Sequence, residues 1–162
     1  DANPFGVGAL QSLRSLRRRL PCSLGHSKAT MPYIEPRSIT EQEASVIDAL
    51  LSRAPIAAST WLGRGGINKL VVHSRCDCGC ASIGFLPESE KAPPETGRLA
   101  DGLGLTRDNQ EVGVLLFGTD ETLVELEIYW HETDPAPLPL AETIVPWEQG
   151  GQLREAQQNA KT

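Results

Sequence analysis

Residues 112–130 read VGVLLFGTDETLVELEIYW, and the fold class turns on how that stretch is parsed. Two apolar runs, Val112–Phe117 and Leu123–Trp130, flank Gly118-Thr119-Asp120-Glu121. Runs of this length bounded by turn residues predict two antiparallel strands and a tight turn. In the second run Val124, Leu126, Ile128 and Trp130 alternate with Leu123, Glu125, Glu127 and Tyr129. Successive side chains of a strand point to opposite faces, so the first set should meet a core and the second should be wetter. A two-residue loop, at Thr119-Asp120 or at Asp120-Glu121, puts Leu115 and Phe117 on the core face with Val124 and Leu126. Val114 and Leu116 then stand beside the glutamates.

Upstream, a second hairpin is expected from Lys69–Cys76 and Cys80–Leu86, turning at Cys78-Gly79. That register collects Leu70, Val72, Cys76, Ala81, Ile83 and Phe85 on one face. It leaves His73, Arg75, Asp77, Cys80 and Ser82 on the other. Gly79 supplies the positive φ that such a turn requires. Before this hairpin, Thr40-Glu41-Gln42-Glu43 reads as a capping box. Ile47, Leu50, Leu51 and Ala54 follow at helical spacing, predicting a helix over about 40–54 that Pro55 terminates. Ile56–Leu62 reads as a further short helical piece stopped by Gly63, Gly65 and Gly66, a connector without the Lys-Ser/Thr ending of a phosphate loop. Between the hairpins, Pro87–Gln110 with Pro93-Pro94 reads as a long connection without strands, and Pro135–Pro146 as an extended segment packing back across the sheet. The expected fold is therefore α+β: one main N-terminal helix on an antiparallel sheet of two β-hairpins.

The 162 residues suit one domain, placed at 31–149. Residues 1–30 form a basic tail, with five basic residues (Arg14, Arg17, Arg18, Arg19, Lys28) against Asp1, and Met31, the sole methionine, marks the expected start. A net charge of −6 for the whole chain leaves −10 for the remainder. Gly150-Gly151 opens a polar C-terminal tail over 150–162. So acidic a body repels phosphate backbones, which argues against nucleic-acid binding and suits a basic protein partner. No apolar run is long enough to span a membrane. Four cysteines, three of them crowded into Cys76-Asp77-Cys78-Gly79-Cys80, do not spread as a disulfide framework does, and a reduced, cytoplasmic setting is expected.

Taken together, the helix opened by Thr40–Glu43, the turn Arg75–Cys80 followed by Ala81-Ser82-Ile83, and the strand Leu126–Trp130 resemble a group of small uncharacterised bacterial proteins. The resemblance covers about residues 39–139. It attaches no activity, so it assigns no functional residue.

Two functions remain in view. The first is a non-enzymatic protein-interaction protein, of inhibitor or immunity type, meeting a basic partner through Glu125, Glu127 and Tyr129 without a cofactor. The alternative is a metal-binding or redox-linked thiol protein in which Cys76, Cys78, Cys80 and His73 hold zinc. The predicted two-residue turn opposes that alternative, because it buries Cys76 while turning Cys80 outward beside Asp77.

Overall fold

The computed structural model describes residues 31–53, 66–130 and 135–149. Along the chain run β1 (Tyr33–Ser38), α1 (Glu41–Arg53), β2 (Val71–Arg75), β3 (Ile83–Gly84), β4 (Gly97–Leu105), β5 (Glu111–Gly118) and β6 (Leu123–Tyr129). The protein is α+β. Among the described residues one α-helix accompanies a six-stranded sheet of order β1-β2-β3-β6-β5-β4, antiparallel throughout. The two tails, the expected piece at 56–62 and the helix end at Ala54 lie outside the described residues.

The capping box forms as the sequence predicts. Thr40 Oγ1 accepts the Glu43 N–H at 3.2 Å, and Glu43 Oε2 accepts the Thr40 N–H at 2.8 Å. Arg37 of β1 adds a bidentate pair to the same carboxylate, at 2.6 and 2.9 Å. Burial alone would raise the pKa of Glu43, but the bonds from Arg37 and Thr40 outweigh it and hold the carboxyl below its usual range. One side chain thus fixes the helix start and its angle to the first strand. Val46, Ile47, Leu50 and Leu51 then fall on one buried stripe.

That stripe meets β4, a strand the sequence reading assigned to a structureless connection. The correction has a physical reason. Gly97, Gly102 and Gly104 dilute the β signal of 97–105, yet two of them are what allow the helix and the C-terminal segment to lie close. A methyl group on Gly102 would stand 2.7 Å from the Val145 carbonyl oxygen and 3.3 Å from Leu50 Cδ2. One on Gly104 would stand 2.7 Å from Pro139 Cβ. The segment 139–145 also closes the β4 edge, since Leu103 and Val145 exchange both backbone bonds at 2.9 Å. This return across the sheet was expected. The strand β1 was not, because Glu35, Pro36 and Arg37 make it read as an edge or a loop.

The hairpin β5–β6 forms where predicted, but its register differs by one residue. Thr119 and Thr122 bond across Asp120-Glu121 at 2.9 Å, as one of the two expected turns requires. Between Phe117 and Gly118 the pairing then slips, opposing Phe117 to Glu125 and Gly118 to Leu123, so that Val124 bulges out of the ladder. On the other edge of β6, the Val124 carbonyl accepts the Phe85 N–H at 2.9 Å. The slip exchanges faces. Val114 and Leu116, not Leu115 and Phe117, enter the core opposite Ile128 and Leu126.

Candidate metal centre

The turn after β2 also departs from the two-residue hairpin. Arg75 pairs with Ile83 and Ser74 with Gly84, so residues 76–82 form a wide loop instead of a continuous ladder. Its ends are tied by the Cys76 N–H to the Ser82 carbonyl at 3.1 Å. Gly79 does adopt positive φ, at 92°. The loop is drawn inward by two bonds to distant chain: Ala81 N–H to the Ala136 carbonyl at 2.9 Å, and Ser82 Oγ to the backbone of Ile128. Cys80 and Ser82, expected on the outer face, are therefore buried. Once the loop is anchored in this way, its side chains no longer alternate as strand residues would.

The consequence is a three-sulfur cluster. The Sγ atoms of Cys76, Cys78 and Cys80 all lie within 4.8 Å of one another. Cys76 and Cys78 approach to 2.9 Å, longer than a covalent S–S bond of about 2.05 Å. The Cys80 N–H points at Cys78 Sγ at 3.3 Å, and the Cys80 thiol donates to Ser82 Oγ at 3.2 Å. His73, the fourth expected ligand, stands half-buried on β2 and does not join the group. The expectation that the turn geometry keeps the sulfurs apart is thus overturned.

Electrostatics limit what such a cluster can do. Burial pushes the Cys76 thiol up to about 11, aided by its neighbours Cys80 and Asp77 and only partly offset by a backbone bond at Cys78. A nucleophilic or exchanging cysteine needs the opposite shift, supplied by a nearby cation or helix N-terminus. A metal ion would supply the positive charge that those neighbours do not. Cys78 is disulfide-bonded, so all three sulfurs become ligands only in the reduced protein.

No protein-family profile, curated protein or solved structure matches the chain. The chemistry of its own residues therefore carries the functional reading. Among the described residues no helix is long and apolar enough to cross a membrane.

The second expected site is on β6. Glu125, Glu127 and Tyr129 stand half-buried on one face with Phe117, Leu115 and Gly113 opposite them. Tyr129 lies over Gly113, where a side chain would collide with its ring, and stacks on Trp147 with centroids 6.2 Å apart. Trp147, expected to pack back across the sheet with the C-terminal segment, does so while remaining 47% exposed. Burial raises the pKa of both glutamates, and at Glu125 the charge of Glu127 adds to it. Neither carboxylate has a salt bridge among the described residues.

A carboxyl whose folded pKa lies above its unfolded value destabilises the fold when ionised. Stability falls as pH rises from the ordinary carboxylate range, about 4.3, through the raised value. Glu125→Gln should therefore raise the melting temperature at pH 7, with the gain shrinking as pH falls through the raised value and vanishing below about 4. Differential scanning fluorimetry across that range checks it, and an unchanged or lower melting temperature at pH 7 would contradict it.

An open groove of about 860 Å³ runs along α1, lined in part by Glu41, Asp48, Arg53 and Glu142. No residue of either site lines it.

Proposed function

We propose that this protein binds a thiophilic metal ion, zinc foremost, through the reduced Cys76, Cys78 and Cys80. The convergence of three sulfurs within 4.8 Å carries the reading. Soft thiolate ligands favour zinc and similar ions over magnesium or calcium, and zinc completes a tetrahedron with a fourth donor at about 2.0–2.3 Å. The ligands must be deprotonated, and the buried Cys76 thiol holds its proton tightly, so binding releases protons and strengthens with pH. The requirement for reduced sulfur is best met in a reducing compartment such as the cytoplasm. The role is non-enzymatic: the ion pins residues 76–82 against β6.

The test is metal content. The full chain, reduced and incubated with zinc, then freed of unbound ion, should retain about one zinc per chain by elemental analysis. The same chain without reductant should retain much less. Absence of zinc from the reduced protein would end this reading.

A second reading is supported by the half-buried Glu125 and Glu127, without a salt bridge among the described residues, beside the stacked Tyr129–Trp147 pair. It makes this face the docking surface for a basic protein, in the manner of an inhibitor or immunity protein. Lysine or arginine from a partner would relieve the repulsion between the two carboxylates, and aromatic faces favour the same cations.

A further inference from the structure

We infer that Ser82 is the positioning residue of the three-sulfur centre, holding the Cys80 sulfur in line with those of Cys76 and Cys78. The inference rests on the metal reading above. Ser82 is 4% exposed. Its Oγ accepts the Ile128 N–H at 2.9 Å and donates to the Ile128 carbonyl at 3.2 Å, while Cys80 Sγ lies 3.2 Å away on its third side. A hydroxyl has one hydrogen and two lone pairs, so this site is fully used. Both Ile128 groups belong to β6, in the middle of the sheet. The hydroxyl cannot shift without giving up bonds to a central strand.

The sulfur of Cys80 is therefore referenced to the sheet, outside the loop that carries all three cysteines. Cys76 is tied through its N–H to the Ser82 carbonyl, and Cys78 Sγ receives the Cys80 N–H. Ser82 thus touches the centre twice, through its backbone at Cys76 and its side chain at Cys80. When Cys80 binds an ion as thiolate, the single Ser82 hydroxyl hydrogen can turn to that sulfur only by giving up its 3.2 Å bond to the Ile128 carbonyl, while the Ile128 N–H still holds the oxygen in place. Outer-shell donors of this kind typically change metal affinity about 10–100-fold.

The experiment titrates the reduced full chain with cobalt(II), whose thiolate charge-transfer and ligand-field bands report sulfur ligation and geometry, and measures zinc affinity by competition with a chelator. Ser82→Ala should weaken zinc binding about 10–100-fold and alter the cobalt spectrum, and Ser82→Thr, which keeps the hydroxyl, should restore both. Urea unfolding of the metal-free variants shows that each is folded. Wild-type affinity and spectrum in a folded Ser82→Ala would overturn the inference and leave the metal reading standing. Equal losses in the Ala and Thr variants would also overturn it. If Ser82→Ala does not fold, Ser82→Thr decides: a wild-type spectrum and affinity support the role, and their loss overturns it. A wild-type chain that takes up neither cobalt nor zinc would overturn both readings.

Discussion

Leu126→Ala is expected to lower the free energy of unfolding by about 2–5 kcal/mol, read from chemical denaturation followed by tryptophan fluorescence. Leu126 is fully buried, and its strand joins the two halves of the sheet. It pairs with Ile83 of β3 on one side and Leu116 of β5 on the other. Loss of the three outer carbons, Cγ and both Cδ, would strip Ile83 and Leu116 of packing partners at that point, and a sheet held by backbone bonds collapses poorly around a hole. Because β3 has only two residues, its pairing with β6 offers little else to resist the change. A cost below about 1 kcal/mol, the size of a surface substitution, would mean that the β3–β6 junction is not where the core is centred.

Cys80→Ser is expected to remove stoichiometric zinc from the reduced chain. If about 10–16 kcal/mol of structural zinc binding is shared among four ligands, losing one is worth roughly 3 kcal/mol, or more than 100-fold in affinity. In the metal-free protein the same change should cost about 1–3 kcal/mol, because a buried sulfur gives way to a hydroxyl that needs stronger hydrogen bonds than Ser82 has left to offer. A chelator-competition titration measures the first quantity and urea unfolding the second. The sequence alone puts Cys80 on the outer face, where the substitution would cost much less than at the buried Cys76. A harmless Cys80→Ser would return the protein to that picture.

Those two residues also mark how far the sequence could be read. Glu125, Leu126, Glu127 and Ile128 alternate in polarity, and alternation is a local property that a strand must obey, so β6 and its hairpin were legible. Their register was not. The bulge at Val124 is accompanied by a bond from the Phe85 N–H to its carbonyl, a contact that nothing near residue 124 announces. The helix was legible for the same local reason, since Thr40 and Glu43 carry their own capping chemistry. Its seat was hidden, because glycine at 102 and 104 looks like a loop until Leu50, Pro139 and Val145 are known to press on it. The cysteines were conspicuous, but their convergence depends on Ala136 and Ile128, and Ser82 carried no signal beyond its nearness to Cys80. What stayed out of reach in each case was a long-range partner.

The bond between Ser82 and Ile128 spans 46 positions of chain, and this has a consequence during synthesis. At about 5–20 residues per second, Cys76, Cys78 and Cys80 are made some 2–9 s before the strand that buries them. Through that interval the three thiols are on an open, flexible stretch, able to meet oxidants, small thiols or a passing ion. The three sulfurs can therefore be reduced, oxidised or metal-bearing before the strand that encloses them exists.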